Sequence, residues 1–294
     1  MRALAVLLLL LAGCVPAPDA PPAAAGPAGA ERGPWREQTH WVPMRDGRGR
    51  THLLQTRICR PSGDRPARVV LINHGSPARG SERASRRPLS CEGEAARWFL
   101  DRGFVVVAGM RRGHGGSGDE LAETSGGCGA AEFVRAGLES ARDLDALVNY
   151  AAALPYAWPN AMVMVGQSTG GWATIGYNSV AHPRVTAMVN MAGGRGGHYQ
   201  LMPNNNCRPD QLVLAAGVLG KTATTPMLWV YTENDSSFGP ALATAMHQAF
   251  TRAGGKAEMV RLPAFTEDGH TLFFGRGGSS IWGPVVERYL AGRR

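Results

Sequence analysis

Residues 161–171 read AMVMVGQSTGG, and this stretch carries the strongest structural signal in the chain. Five apolar residues in a row predict a buried strand, and the residues after Gly170 suit a helix. Gly166 and Gly170 allow the sharp turn that must join the two elements. A serine on such a turn has its hydroxyl raised above the sheet, and the start of the helix behind it favours developing negative charge. We therefore predict that Ser168 is a nucleophile.

The alternation of strand and helix continues on both sides of this turn. Short runs rich in apolar residues predict further strands at residues 69–72, 104–108, 187–191, 227–231 and 257–262. The segments between them predict helices at about residues 91–102, 130–152, 239–253 and 279–291, with one more directly after the turn. Strands that alternate with helices imply an α/β fold, in which a mostly parallel sheet is flanked by helices on both faces.

Two segments depart from this alternation. Residues 40–58 predict an N-terminal antiparallel hairpin, because Asp46-Gly47 supplies the positive φ that a tight turn needs. Residues 192–222 begin with a stretch rich in glycine and asparagine. They predict a small insertion over the carboxyl edge of the sheet, where substrates bind in folds of this type. We expect one folded domain, formed by residues 35–294.

A serine hydroxyl is a weak nucleophile at neutral pH, so a base must take its proton and an acid must orient that base. Of the eight histidines, His270 is placed best, since it follows the last predicted strand and precedes the terminal helix. The acid should follow the preceding strand, where Glu233 and Asp235 both occur. We prefer Asp235 because it lies further past the strand end, in the loop that faces the histidine. Glu267 and Asp268, expected to be solvated, are the remaining choices.

An acyl-transfer transition state also needs two backbone N–H donors for its oxyanion. Thr169, directly after the predicted nucleophile, would supply one of them. The other should come from the loop after the first parallel strand, where Gly75 lets the backbone approach closely and Pro77 has no N–H to give. We therefore predict Ser76 as the second donor, with Gly75 as the alternative.

Together these residues resemble the α/β-hydrolase superfamily, and more narrowly its dienelactone-hydrolase-like and peptidase-like branch. The resemblance covers roughly residues 41–290. It rests on four pieces in order, which are His74-Gly75-Ser76, Arg112-Gly113-His114-Gly115-Gly116-Ser117-Gly118, the Ser168 turn, and the positions of Asp235 and His270. It implies the α/β-hydrolase fold and a serine-centred triad, and we expect no cofactor.

The resemblance implies hydrolysis of a small-molecule ester or amide through an acyl-serine intermediate. Dienelactone hydrolases use cysteine where this chain has Ser168, and the propeller domain of the larger prolyl peptidases has no counterpart in these residues. Neither specificity is therefore carried over. We expect a carboxylic-ester hydrolase. The alternatives are a serine aminopeptidase or dipeptidyl-peptidase-like amide hydrolase, and a non-catalytic binding lipoprotein.

The N-terminal residues predict export. Residues 1–13 hold one arginine and an unbroken apolar run, and Cys14 follows directly. This arrangement resembles the lipobox of bacterial lipoproteins, which implies cleavage before Cys14 and lipid attachment to its thiol. Residues 14–34 are rich in proline, alanine and glycine and predict a flexible tether. We expect a lipid-anchored protein of the cell envelope, and Val15 after the cysteine favours the outer membrane, facing the periplasm.

Charge and cysteine content restrict the possible partners. The net charge is +8, but the basic residues are scattered along the chain, so we predict no nucleic-acid partner.

Apart from Cys14, four cysteines remain without metal-binding spacing, which predicts two disulfides and no metal site. In the fold that the resemblance implies, Cys128 and Cys207 lie on segments over the same sheet edge. We hypothesise that they form a disulfide fixing the wall of the substrate pocket, with Cys59 and Cys91 as the second pair.

Overall fold

The computed structural model describes residues 25–118, 120–180 and 183–293. The predicted signal peptide, the predicted lipidation site at Cys14 and roughly half of the predicted tether lie outside these residues. Within the described part of the chain, no helix combines the length and the apolar character needed to cross a membrane.

A nine-stranded sheet forms the centre of the described residues. Its strands are β1 (Gly26–Arg32), β2 (Glu37–Arg45), β3 (Thr51–Cys59), β4 (Val69–Asn73), β5 (Val105–Gly109), β6 (Met162–Gln167), β7 (Val185–Met191), β8 (Met227–Thr232) and β9 (Ala257–Leu262). The strand order is β1-β2-β3-β5-β4-β6-β7-β8-β9. β1, β2, β3 and β5 pair antiparallel, and from β5 through β4 to β9 all pairs are parallel. The mostly parallel sheet with an N-terminal antiparallel hairpin is therefore confirmed.

Helices cover both faces of this sheet. The described residues form α1 (Glu94–Leu100), α2 (Phe133–Ala152), α3 (Thr169–Val180), α4 (Pro209–Gly220), α5 (Pro240–Arg252) and α6 (Ser279–Ala291). Trp172 of α3 and Phe250 of α5 belong to one buried apolar cluster, whereas Phe99 of α1 and Trp282 of α6 belong to another. Residues of β4 and β6 alternate between the two clusters because successive side chains of a strand point to opposite faces.

The turn between β2 and β3 forms where it was predicted, but different residues stabilise it. The positive φ belongs to Gly49, at 79°, rather than to Gly47. The Asp46 carboxylate instead organises the turn, because its Oδ1 accepts hydrogen bonds from the backbone N–H groups of Arg48 and Arg50, each at 2.9 Å. Short acidic side chains commonly bond to nearby backbone groups in this way.

The predicted flexible tether extends too far towards the C terminus. Residues of β1 pair antiparallel with β2, and Glu31 in β1 forms ion pairs with Arg60 at 2.6 Å and Arg36 at 2.8 Å. The expectation of a tether up to residue 34 is therefore wrong for Gly26–Arg32. The local composition does not reveal this strand because backbone pairing and contacts with distant residues hold it in place.

Two disulfides join the described segments as the sequence suggested. Cys59 at the end of β3 bonds to Cys91 before α1, with 5.7 Å between their Cα atoms. Cys128, in the loop between β5 and α2, bonds to Cys207 in the insertion that follows β7, with a Cα separation of 5.3 Å. The second disulfide ties together two segments over the carboxyl edge of the sheet.

Candidate active site

Ser168 occupies a strained turn between β6 and α3. Its φ is +56°, in the left-handed region that L-residues other than glycine seldom adopt. A Cβ atom on Gly166 would overlap the backbone of Gly170, and one on Gly170 would overlap the carbonyl oxygen of Asn73. These two positions therefore require glycine, which explains the motif. Gly75 approaches so closely that a Cβ there would lie 3.0 Å from the Ser168 Cβ.

His270 and Asp235 form a hydrogen-bonded pair. The His270 Nδ1 lies 3.1 Å and 3.2 Å from the two carboxylate oxygens of Asp235. Asp235 is only 2% exposed, and its Oδ1 also accepts the N–H groups of Ser237 and Phe238 at 2.8 Å. With Nδ1 donating to this carboxylate, Nε2 is the ring nitrogen left to accept a proton. Glu233, the alternative acid, is exposed.

Asp268 also supports His270, from the backbone side. Its Oδ1 accepts the N–H of His270 at 2.9 Å and that of Ser236 at 3.0 Å, and its Oδ2 accepts the Ser236 hydroxyl at 2.7 Å. Burial alone raises the pKa of Asp268, but these hydrogen bonds outweigh it and leave the pKa below its usual value. The expectation that Asp268 is simply solvated is therefore wrong, because it holds the loop that carries His270. Glu267 is exposed.

Ser168 and His270 line one pocket of about 400 Å³ at the carboxyl edge of the sheet. Phe238 lines it too, and its ring centroid lies 5.7 Å from that of His270. Among the described residues, the Ser168 hydroxyl makes no hydrogen bond, so it is not yet bonded to His270. Catalytic hydrogen bonds often tighten only when substrate binds. The structure thus brings Ser168, His270 and Asp235 to one site, and their catalytic roles stay predictions.

The predicted oxyanion donors lie beside Ser168. The hydroxyl of Ser76 is 3.0 Å from that of Thr169, and both residues line the pocket. Among the described residues, neither backbone N–H has a hydrogen-bond acceptor. The same holds for Gly75, so both candidates for the second donor remain. Two free N–H groups next to Ser168 suit stabilisation of a developing oxyanion.

A buried ionic cluster lies behind these donors. Arg111 is fully buried, and its guanidinium donates two hydrogen bonds to the Glu123 carboxylate, at 2.5 Å and 3.1 Å. Arg111 also donates to the His74 carbonyl at 2.8 Å and to the Thr169 hydroxyl at 3.2 Å. Arg195 donates to the Glu123 carbonyl oxygen and lies 3.4 Å from its carboxylate. The cluster therefore positions both donor loops.

The two histidines of this cluster are uncharged at neutral pH. Desolvation, then the charge of Arg111, lowers the pKa of His74 well below its usual value. The same two causes lower the pKa of His114 to about 4. His114 is fully buried, and its Nε2 lies 3.3 Å from the Ser76 hydroxyl. Neither histidine has the acid partner that His270 has, so neither competes with it as the base.

Neither Cys128 nor Cys207 lines the pocket itself, but segments joined by their disulfide contribute to its wall. Leu121, Thr124 and Ser125 line one side and are followed closely by Cys128. Residues 195–198 line the neighbouring side. The Cys207 N–H donates to the Gly196 carbonyl at 2.8 Å, which ties that segment to the disulfide. The cross-link therefore restrains both parts of the wall.

Sequence reasoning missed Arg195, Glu123 and Asp268. Arg195 stands between two glycine pairs directly after β7, and this placement at the carboxyl edge of the sheet was the available signal. Glu123 had no local signal, because its partners come from two other segments. Asp268 was considered only as a rival to Asp235.

Solved structures share this fold at low sequence identity. An esterase from Pyrococcus furiosus has a TM-score of 0.59 and 14% identity, with 93% of this chain and 99% of that chain covered. A putative dienelactone hydrolase from Klebsiella pneumoniae has a TM-score of 0.54 and 16% identity, with 87% and 98% covered. A putative dipeptidyl aminopeptidase IV from Bacteroides ovatus has a TM-score of 0.62 and 16% identity, with 92% of this chain but 36% of that chain covered.

These likenesses show the α/β-hydrolase fold. A comparison with curated protein sequences gave no match. Residues 46–260, well over half of the chain, match the sequence pattern of the X-Pro dipeptidyl-peptidase (S15) family. In agreement with the hydrolase superfamily that the four motifs resemble, the chain is a hydrolase and belongs to the X-Pro dipeptidyl-peptidase (S15) family.

Proposed function

We propose that this protein hydrolyses carboxylic esters through an acyl-serine intermediate. The observation that supports this most directly is that His270, hydrogen-bonded to the buried Asp235, lines the same pocket as Ser168, whose backbone is left-handed. A nucleophile, a base oriented by a buried carboxylate and free N–H donors are the components that acyl transfer needs.

The reaction follows from these positions. His270 Nε2 takes the proton of the Ser168 hydroxyl as Oγ attacks the ester carbonyl carbon, and the N–H groups of Thr169 and Ser76 stabilise the oxyanion. The carbon–oxygen bond to the alcohol then breaks, and the alcohol leaves with the proton held by His270. Water attacks the acyl-serine, gives a proton to His270, and the acid departs as Ser168 regains its proton.

The composition of the pocket favours esters over peptides with a free N terminus. Arg83 and Arg195 line the pocket, and no Asp or Glu is found among the described residues that do so. An α-ammonium group in this pocket would lack a counter-ion and would face two cations, which is unfavourable in a partly desolvated site. The family match favours the alternative, an X-Pro dipeptidyl peptidase.

Hydrolysis of matched substrates separates these functions. We expect the purified protein to hydrolyse 4-nitrophenyl acetate or butyrate, and Ser168→Ala to abolish this turnover. Ser81→Ala, at an exposed serine near the pocket rim, is the matched control and should retain it. Turnover of Ala-Pro-4-nitroanilide without ester turnover would establish the peptidase instead. Turnover that persists in Ser168→Ala would show that Ser168 is not the nucleophile, and no turnover of either substrate would favour a binding protein.

We further propose that the protein is exported and anchored by lipid on Cys14. The apolar run that ends at Cys14 supports this, and two disulfides in the described residues suit an oxidising compartment. Labelled palmitate should enter the wild-type protein and Val15→Ala but not Cys14→Ser. Equal labelling of Cys14→Ser would refute the anchor without affecting the enzymatic proposal.

A further inference from the structure

Arg195 places a nearly buried cation in the pocket wall. Its side chain is 7% exposed and lines the pocket together with Ser168 and His270. The preceding residue, Gly194, donates its N–H to the Ser168 carbonyl at 3.1 Å, so Arg195 is fixed next to the nucleophile turn. Its Nη2 donates a hydrogen bond to the backbone carbonyl oxygen of Glu123, whereas its buried Nη1 has no hydrogen-bond partner among the described residues.

The charges around Arg195 do not balance. Glu123 is the carboxylate that both Arg111 and Arg195 contact, so this group holds one more cation than anions. His74 and His114 add no charge at neutral pH, because desolvation and Arg111 keep their pKa values low. Burial also lowers the pKa of Arg195, although a guanidinium stays protonated. An uncompensated buried cation is costly, and an anion in the pocket would offset that cost.

A second arginine strengthens this field. Arg83 lines the same pocket, and its side chain donates to the carbonyl oxygens of Gly80 and Gly113 rather than to a carboxylate of the described residues. No acidic side chain is found among the described residues that line the pocket. The two arginines therefore make the pocket electropositive.

We propose that Arg195 binds a carboxylate of the substrate, so that the preferred substrates are esters carrying a free carboxylate close to the scissile bond. This inference rests on the proposed esterase function and names its substrate class. A hydrogen bond from a charged, largely desolvated donor to a carboxylate is worth about a tenfold to hundredfold change in kcat/KM.

Two pairs of esters test this on the wild-type protein. Monomethyl succinate and methyl butyrate differ by a carboxylate on the acyl part, and O-acetylglycolate and ethyl acetate differ by one on the alcohol part. We expect kcat/KM to be at least about tenfold higher for the charged member of one pair. Succinate should also inhibit hydrolysis of 4-nitrophenyl butyrate more strongly than butyrate does.

Variants of Arg195 test whether this residue causes the preference for carboxylate-bearing esters. Arg195→Gln should lower kcat/KM for the charged esters at least about tenfold more than for the neutral esters, and Arg195→Lys should retain part of the preference. Arg79→Gln, at an exposed arginine on the loop before the pocket-lining Gly80, controls for long-range charge and should keep it.

The outcomes separate the two proposals. Ser168-dependent turnover of neutral esters with no preference in either pair would overturn the carboxylate subsite and leave the esterase standing. A preference that survives in Arg195→Gln would also overturn it. If Arg195→Gln fails to fold, the wild-type selectivity and the succinate inhibition still decide, and equal inhibition by succinate and butyrate refutes the subsite. Absence of any Ser168-dependent ester turnover would overturn both proposals.

Discussion

Asp235→Asn gives the most direct test of the proposed triad. The amide has nearly the shape of the carboxylate, and its oxygen can still accept the N–H groups of Ser237 and Phe238, each at 2.8 Å in the native protein. The fold should therefore be retained. The amide nitrogen would then replace the Oδ2 that lies 3.2 Å from His270 Nδ1, which favours Nδ1 as an acceptor and the ring proton on Nε2. A ring protonated at Nε2 cannot take the proton of Ser168.

The expected loss is large. An Asp-to-Asn change that imposes the wrong tautomer lowers kcat by about 10⁴-fold in a serine triad. At 1.36 kcal/mol for each factor of ten, this corresponds to about 5 kcal/mol of lost transition-state stabilisation. The measurement is steady-state hydrolysis of 4-nitrophenyl butyrate, accompanied by thermal unfolding to verify the fold.

Glu233→Gln is the matched control, because Glu233 is the exposed carboxylate two residues earlier. We expect its kcat to stay within about twofold of wild type, since exposed charges contribute little. A variant Asp235→Asn that folds and retains more than a tenth of wild-type kcat would refute the reasoning. So would an equal loss in both variants.

Variants at three further sites test the structure. Asp268→Asn should lower kcat about tenfold with KM unchanged, because it loosens the backbone of the His270 loop. The pKa of Asp268 is lowered in the folded state, so its ionised carboxylate stabilises the fold. The urea midpoint of the wild-type protein should therefore exceed that of Asp268→Asn at pH 7, and this difference should shrink as the pH falls below about 4. Gly170→Ala should lower the free energy of unfolding by about 2 kcal/mol or more in urea titrations, whereas Gly129→Ala, whose Cβ meets nothing within 4 Å, should change it by less than about 0.5 kcal/mol. The double variant Cys128→Ser and Cys207→Ser removes a cross-link that closes a loop of 79 residues, so its free energy of unfolding should fall by about 4 kcal/mol. Its KM should also rise, and an unchanged KM would show that this disulfide does not shape the pocket.

The residues that the sequence identified share a local signal. Ser168 stands at a strand-to-helix turn whose glycines are required by close backbone contacts, and Asp235 and His270 follow the last two strands. Each of these positions is defined by the element that precedes it. Apolar runs and glycines therefore sufficed to place them at one edge of the sheet.

The features that the sequence did not reveal depend on distant partners. β1 is held by pairing with β2 and by the Glu31 ion pairs, although its own composition resembles a linker. Glu123 and Arg195 meet only because the loop after β5 and the segment after β7 converge over the sheet edge. No periodicity within either segment encodes that meeting.

At Ser168 the residue that suits the backbone differs from the residue that the proposed reaction requires. At a φ of +56°, glycine would be free of the penalty, on the order of 1 kcal/mol, that any other residue incurs there. Mutation and selection for stability alone would thus favour glycine at this position. In a library of variants at position 168 that is screened only for soluble expression, glycine should replace serine. A screen for turnover should retain Ser168, although its melting temperature is lower.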